Sequence, residues 1–122
     1  MITSKFFKEA EFQRCSPSCS LQDMEQGFMD MLDKAREYAG VPFVLNSAYR
    51  SPAWEKSKGR SGDGAHPHRV GVDVRALDSV TRFKIVAGAL KAGFRRIGIG
   101  KSYVHLDNDP TKPQGVMWHY YE

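Results

Sequence analysis

The chain has 122 residues, 41% hydrophobic and 26% charged, which is the size and composition of one globular domain. No apolar run approaches the ~18 residues that a membrane-spanning helix needs, so we expect no membrane span. The net charge of +4 favours an anionic partner, either nucleic acid or a polymer rich in carboxylates, but the basic residues form no dense stripe of the kind that DNA binding requires. We therefore expect no binding to nucleic acid. We also expect the protein to be a monomer.

Residues 1–19 are predicted to form a lead-in segment with a turn at Pro17, ahead of a core formed by residues 20–122. The N-terminus lacks the uninterrupted apolar stretch of a secretion signal, so Cys15 and Cys19 are expected to stay reduced. Two cysteines are also too few for a disulfide framework or a four-cysteine zinc site.

The first main helix is predicted to begin at Ser20, whose side chain can cap it, with Asp23 at the capping-box position. Apolar residues then recur at steps of three and four, which is typical of a helix face packed against a core: Met24, Phe28, Met31, Leu32, Ala35 and Tyr38. Gly40 and Pro42 are predicted to end this helix.

Two strands with a loop between them are predicted next. The first strand covers 43–47, and a polar, glycine-rich loop with nothing to bury covers 55–65. The second strand has Asp73 on one face and three alternating valines on the other, namely Val70, Val72 and Val74.

A second main helix is predicted from Asp78 or Ser79 to Gly93, with four residues on its buried side: Phe83, Val86, Ala87 and Leu90. Three more strands are predicted, at 96–99, 103–107 and 116–121. This order of elements predicts a single α+β domain whose sheet is largely antiparallel, with two main helices.

The residues that can carry chemistry lie on the polar faces of two predicted strands. His66 precedes Asp73 by seven residues, and the later strand presents three polar residues on one face because alternate side chains point the same way: Tyr103, His105 and Asp107. If the two strands are neighbours, His66, Asp73 and His105 converge on one point. Two imidazoles and one carboxylate leave a fourth tetrahedral position open for water, as in catalytic zinc sites.

The same spacing also allows an interpretation without a metal. In that case His66 and His68 are loop residues and His105 is a hydrogen-bonded strand residue. Asp107 then begins the turn over 107–110, for which that composition is well suited.

Two other histidines are weaker candidates for metal binding. His68 could replace His66 as a ligand, but only five residues separate it from Asp73. His119 is predicted to be a strand residue beside Trp118, because a fourth protein ligand would close the site to water.

Three segments carry recognisable motifs in order along the chain: Ser-Ala-Tyr-Arg-Ser-Pro at 47–52, a histidine seven residues before an aspartate within 64–74, and Gly-Ile-Gly at 98–100 followed by His-x-Asp at 105–107. Together they resemble the zinc D-alanyl-D-alanine carboxypeptidase family, which includes phage endolysin peptidases and shares its fold with the Hedgehog signalling domain. The resemblance extends from about Glu11 to the C-terminus, including the last strand with Trp118. It implies a Hedgehog/DD-peptidase-like fold.

The resemblance implies that His66, Asp73 and His105 bind Zn²⁺. Two positions depart from the family motif. The glycine three residues after the first histidine is Arg69 here, and the alanine five residues after it is Gly71. A small residue is therefore kept at the second position, whereas the first brings a positive charge near the metal.

The resemblance also implies roles for residues beyond the ligands. Arg50 corresponds to the arginine that faces the scissile carbonyl, and Asp107 is placed to act as the general base or as a partner of a zinc ligand. Tyr49 and Tyr103 are assigned to substrate binding.

The function implied is that of a zinc metallopeptidase that hydrolyses the peptide stems of peptidoglycan, as a D-Ala-D-Ala carboxypeptidase or as an endolysin-type endopeptidase. The alternative is a zinc-stabilised module that binds cell wall or protein without cutting it. We expect synthesis in the cytoplasm without a signal peptide, and action on the cell wall if the protein is lytic.

Overall fold

A computed structural model describes residues 1–121 and contains four helices and a five-stranded sheet in a single α+β domain, as predicted. The helices are α1 (Glu9–Gln13), α2 (Gln26–Ala39), α3 (Pro52–Ser57) and α4 (Ser79–Ala92), with a 3₁₀ turn at Leu21–Asp23. The strands are β1 (Leu45–Ser47), β2 (Gly71–Arg75), β3 (Arg96–Ile99), β4 (Tyr103–Asp107) and β5 (Val116–His119). Within residues 1–121, no helix has the length and apolar character needed to cross a membrane.

The sheet has the strand order β1-β2-β4-β3-β5 and is antiparallel except for the β3–β5 pair, which is parallel. In this order β2 and β4 are neighbours, and Asp73 lies directly opposite His105. One face of these two strands is fully buried in the core, through Val72, Val74, Val104 and Leu106. The predicted alternation is therefore confirmed, since Asp73 and His105 project from the opposite face.

Helices α2 and α4 pack on each other, and Phe28 of α2 meets Phe94 edge-on with ring centroids 5.9 Å apart. Helix α2 begins at Gln26 rather than at Ser20. Ser20 and Asp23 do form the predicted capping box, but they cap the 3₁₀ turn, and the chain is extended at Met24 before α2 begins. Tyr38, predicted on the buried stripe, is 49% exposed.

The predicted buried side of α4 is largely wrong. Phe83 is 73% exposed and Leu90 45% exposed, Ala87 is also exposed, and Val86 is half-buried. The side of α4 that packs against the core instead carries Ile85, Gly88 and Ala89. Gly88 and Ala89 are small and allow the backbones of α2 and α4 to approach closely, which a face of large side chains does not permit.

Helices α2 and α4 approach each other closely at Gly88. A Cβ atom there would lie 2.6 Å from the Ala35 carbonyl oxygen and 2.7 Å from the Ala39 nitrogen. We therefore expect Gly88→Ala to lower the free energy of unfolding by about 1–3 kcal/mol, because overpacking outweighs the better helix propensity of alanine.

The matched control for this substitution is Gly27→Ala in α2, where the added Cβ would meet only the movable end of the Glu25 side chain. We expect Gly27→Ala to be neutral or stabilising by up to about 1 kcal/mol. Urea unfolding of both variants checks the pair. Equal shifts in the two midpoints would contradict the close approach.

Two segments predicted to lie outside the core contribute to it. Phe7 and Phe12, from the lead-in segment, are buried in the same hydrophobic cluster as the α2 and sheet residues. The loop predicted over 55–65 begins within α3, and its Glu55 is only 4% exposed. Cys15 and Cys19 are free thiols.

Candidate metal centre

His66 lies in the turn that leads into β2, and its ring is oriented by the backbone. Its Nδ1 is 2.6 Å from the carbonyl oxygen of Ala48, just after β1. Because a carbonyl only accepts hydrogen bonds, Nδ1 carries the proton and Nε2 keeps its lone pair. Among the described residues, this buried Nε2 has no hydrogen-bond partner. A buried polar atom without a partner is costly, and such an atom fits a metal ligand.

The structure brings the three predicted ligands together. Asp73 of β2 and His105 of β4 face each other, with His105 Nδ1 3.0 Å from Asp73 Oδ1. His66 Nε2 lies 3.3 Å from the same oxygen. One donor atom from each of the three residues lies within 4.8 Å of the other two. Two imidazole nitrogens and one carboxylate oxygen form a donor set that suits zinc.

The second ring nitrogen of His105 is held by Asp107, which is fully buried. His105 Nε2 lies 2.6 Å from Asp107 Oδ2, and Arg96 Nε donates to Asp107 Oδ1 at 2.7 Å. The backbone N–H of Asp109 donates to the same Oδ1. Both carboxylate oxygens of Asp107 are thus engaged, and its contact with Nε2 leaves Nδ1 of His105 facing Asp73.

Burial and hydrogen bonding act in opposite directions on these groups. Burial raises the pKa of Asp73, but its close contacts with the His105 and His66 rings outweigh burial and hold that pKa below its usual value. Burial lowers the pKa of His105, but the hydrogen bonds with Asp107 and Asp73 raise it above its usual value. The pKa of Asp107 is also lowered, because its bonds with His105 and Arg96 outweigh burial. The carboxylates are therefore ionised near neutral pH.

The cluster opens into a cavity of about 510 Å³. Arg50 lines it and is fixed from three sides. Its Nε donates to Glu55 at 3.1 Å, and its Nη1 donates to Ser47 at 3.1 Å and to Asp73 Oδ2 at 3.5 Å. Arg60 completes the pairing by donating to the other Glu55 oxygen at 2.9 Å. The guanidinium of Arg50 is thereby held next to a predicted ligand.

An aromatic wall, formed by Tyr103, Trp118 and Tyr120, also lines the cavity. The rings of Tyr103 and Tyr120 lie 5.5 Å apart, and the ring of Trp118 lies 5.7 Å from that of His105. Burial raises the pKa of Tyr103 to about 12. Its hydroxyl therefore stays protonated and can donate a hydrogen bond at neutral pH.

Three other predicted candidates lie elsewhere. Tyr49 does not line the cavity, and its ring carries the guanidinium of Arg69 at 4.7 Å. His68 is outside the cluster, since its two ring nitrogens lie 2.7 Å from Asp109 and from Asp63. His119 is exposed and stacks on Tyr121.

Arg69 stands where the motif that the sequence resembles has glycine, and it has a φ of 71°. This left-handed conformation costs a residue with a Cβ about 1–2 kcal/mol. The side chain offsets part of that cost, since its Nη1 donates to the Asp23 carbonyl at 3.0 Å and its guanidinium covers Tyr49.

Two substitutions separate the backbone and side-chain effects at this position. Arg69→Ala removes the contacts and keeps the strain, whereas Arg69→Gly removes both. We therefore expect Arg69→Gly to be more stable than Arg69→Ala by about 1 kcal/mol in urea unfolding. Equal stabilities would mean that the turn is not strained.

Several residues of the cavity are not among those predicted from the sequence. Glu55 falls within the segment 55–65 that is predicted to be a loop, although Ser51 followed by Pro52 is a helix-start signal. Arg96 could have been found by alternation, since Ile97 and Ile99 point toward the core and place Arg96 on the face of Asp107, its register partner.

The comparisons with known proteins agree with the geometry. The family model described as Peptidase M15 matches residues 5–107, which include all three residues of the cluster. No curated protein matches the chain.

Proposed function

The chain belongs to the Peptidase M15 family, whose members are zinc-dependent metallopeptidases, and from this we propose that it hydrolyses the peptide stems of peptidoglycan. The observation that carries the proposal is the convergence of His66, Asp73 and His105 at the base of an open cavity. A purely structural site would be closed by a fourth protein ligand, and this cluster supplies three.

The residues present fit a zinc ion. His66 would offer its unpartnered Nε2, His105 its Nδ1, and Asp73 a carboxylate oxygen. When bound, the ion supplies Lewis acidity, which activates water and polarises the scissile carbonyl.

Arg50 stabilises the negative charge that develops on the carbonyl oxygen during hydrolysis. Glu55 and Ser47 hold its guanidinium in place before substrate arrives, so little reorganisation is needed at the moment of reaction. One such preorganised donor typically contributes about 3 kcal/mol to transition-state stabilisation.

Asp107 orients His105 rather than serving as the general base. A base must reach the attacking water, whereas Asp107 is fully buried and both of its oxygens are held, by Arg96 and the Asp109 N–H on one side and by His105 on the other. Of the two roles open to Asp107, the geometry favours that of partner to a zinc ligand.

Tyr103 binds the peptide through its protonated hydroxyl, and the aromatic wall packs against the apolar parts of the stem. The proposal covers both a carboxypeptidase and an endopeptidase variant of this activity. They differ in whether the substrate residue that follows the scissile bond is the last of the stem.

The test uses purified peptidoglycan and follows the release of free amines over time. We expect zinc-loaded protein to release amines, chelation followed by dialysis to stop the release, and added zinc to restore it. Full activity after chelation would contradict metal-dependent hydrolysis. One zinc per chain without amine release would support the non-catalytic binding module instead.

A further inference from the structure

The charged residues that line the cavity do not balance one another. Four cationic side chains face three carboxylates around it: Arg50, Arg60, Arg96 and Lys112 against Glu55, Asp73 and Asp107. A bound zinc ion would increase the positive surplus. A cavity of this sign attracts and holds an anionic group.

The three arginines already have carboxylate partners. Glu55 binds Arg50 at 3.1 Å and Arg60 at 2.9 Å, and Asp107 binds Arg96 at 2.7 Å. Lys112 is half-buried, and within residues 1–121 its ammonium has neither an ion pair nor a hydrogen bond. Among the cations that line the cavity, Lys112 is therefore the one that has no carboxylate partner within residues 1–121.

The backbone around Lys112 is held in place. The Asp109 side chain accepts hydrogen bonds from the backbone and hydroxyl of Thr111. The Gln114 amide donates to the carbonyl of Lys112 at 2.9 Å, and Arg96 donates to the Pro113 carbonyl at 2.8 Å. A fixed backbone keeps the lysine stem at the rim of the cavity and reduces the entropy lost on binding.

We propose that Lys112 is a specificity-determining residue that binds a carboxylate of the peptide close to the scissile bond. This inference rests on the proposed function and names its substrate class, which is anionic stem peptides. Lys112 lies beyond the residues 5–107 matched by the family model, so the assignment comes from this chain's own cavity.

Two carboxylates of a stem peptide have the required chemistry: the free C-terminal carboxylate and the carboxylate of an internal D-glutamate. Three synthetic peptides distinguish them. The first carries both groups, the second ends in a carboxamide, and the third has D-glutamine in place of D-glutamate. The carboxylate whose removal weakens binding to the wild-type protein is the one that Lys112 binds.

The variants are Lys112→Gln, Lys112→Arg and the control Lys101→Gln, since Lys101 is exposed and does not line the cavity. KM and kcat are measured by amine release on zinc-loaded protein, and peptide affinity is measured by calorimetry on metal-free protein. We expect Lys112→Gln to raise KM and Kd about ten- to hundredfold for the peptide with both carboxylates. For the peptide that lacks the carboxylate bound by Lys112, Lys112→Gln should change neither KM nor Kd. The Lys112→Arg variant should retain most of the wild-type affinity.

The two readouts separate failure of this inference from failure of the proposed function. Suppose that the wild type cuts the peptides and that Lys112→Gln changes KM equally for all three of them or for none. The role proposed for Lys112 is then wrong, and the proposed peptidase activity is supported. If the wild type cuts none of them but binds one in a Lys112-dependent way, the peptidase is wrong and the carboxylate site stands. Absence of both cutting and binding overturns both.

Discussion

Replacing His66 with alanine is expected to abolish stable zinc binding and the hydrolysis of peptidoglycan. His66 supplies the buried Nε2 that has no other partner, so its loss leaves one imidazole and one carboxylate to hold the ion. The loss of affinity should exceed the 10–100-fold that is typical when only a hydrogen-bond partner of a ligand is removed. Elemental analysis of the dialysed protein and amine release from purified wall measure the two effects.

His68→Ala is the matched control, because it removes a histidine two positions further along the same turn. Its ring nitrogens contact Asp109 and Asp63 rather than the cluster. We expect this variant to keep one zinc per chain and most of its activity. Retention of zinc by His66→Ala together with its loss in His68→Ala would show that the wrong histidine has been assigned.

Asp107→Asn is expected to have the second largest effect, on both stability and metal affinity. The substitution leaves the buried guanidinium of Arg96 without its counter-charge, and breaking a buried ion pair in this way costs about 3–5 kcal/mol of unfolding free energy. It also weakens the contact that orients His105, so zinc affinity should fall about 10–100-fold. Urea unfolding and a competitive zinc titration on folded protein measure the two quantities.

The role of Asp107 is decided by comparing two variants. Arg96→Gln disturbs the same buried pair but keeps the Asp107–His105 contact, so it should destabilise the protein while losing less zinc affinity than Asp107→Asn. The control is Asp63→Asn, at a side chain that is 81% exposed. It should change neither the free energy of unfolding nor the zinc affinity. If Asp107 were the general base, Asp107→Asn would bind zinc with wild-type affinity and lose only kcat.

The strand part of the site could be predicted from the sequence because a strand has a fixed period of two. Once Val72 and Val104 are assigned to the core, Asp73 and His105 must lie on the other face. The pairing of β2 with β4 does not follow from that period, and the family resemblance was needed to choose metal binding over separate loop and strand roles.

Helix α4 shows where hydrophobic patterning fails. The hydrophobic pattern ranks Phe83 and Leu90 above Gly88 as core residues, yet the glycine is buried and the two large residues are exposed. This is because the distance between two helix backbones depends on the smallest residues at their contact. Alternation along β3 places Arg96 on the face of Asp107, but it does not predict that the pair is buried, because that burial depends on the neighbouring strand.

The predicted ion-binding residues and the lysine of the proposed carboxylate site occupy different parts of the chain. His66, Asp73 and His105 fall within the matched residues 5–107, whereas Lys112, Trp118 and Tyr120 follow them. In the part of the chain that the structure describes, β5 is an edge strand of the sheet and pairs only with β3. Exchange of residues 110–121 for those of a relative is therefore expected to change which peptide is preferred while His66, Asp73 and His105 stay in place.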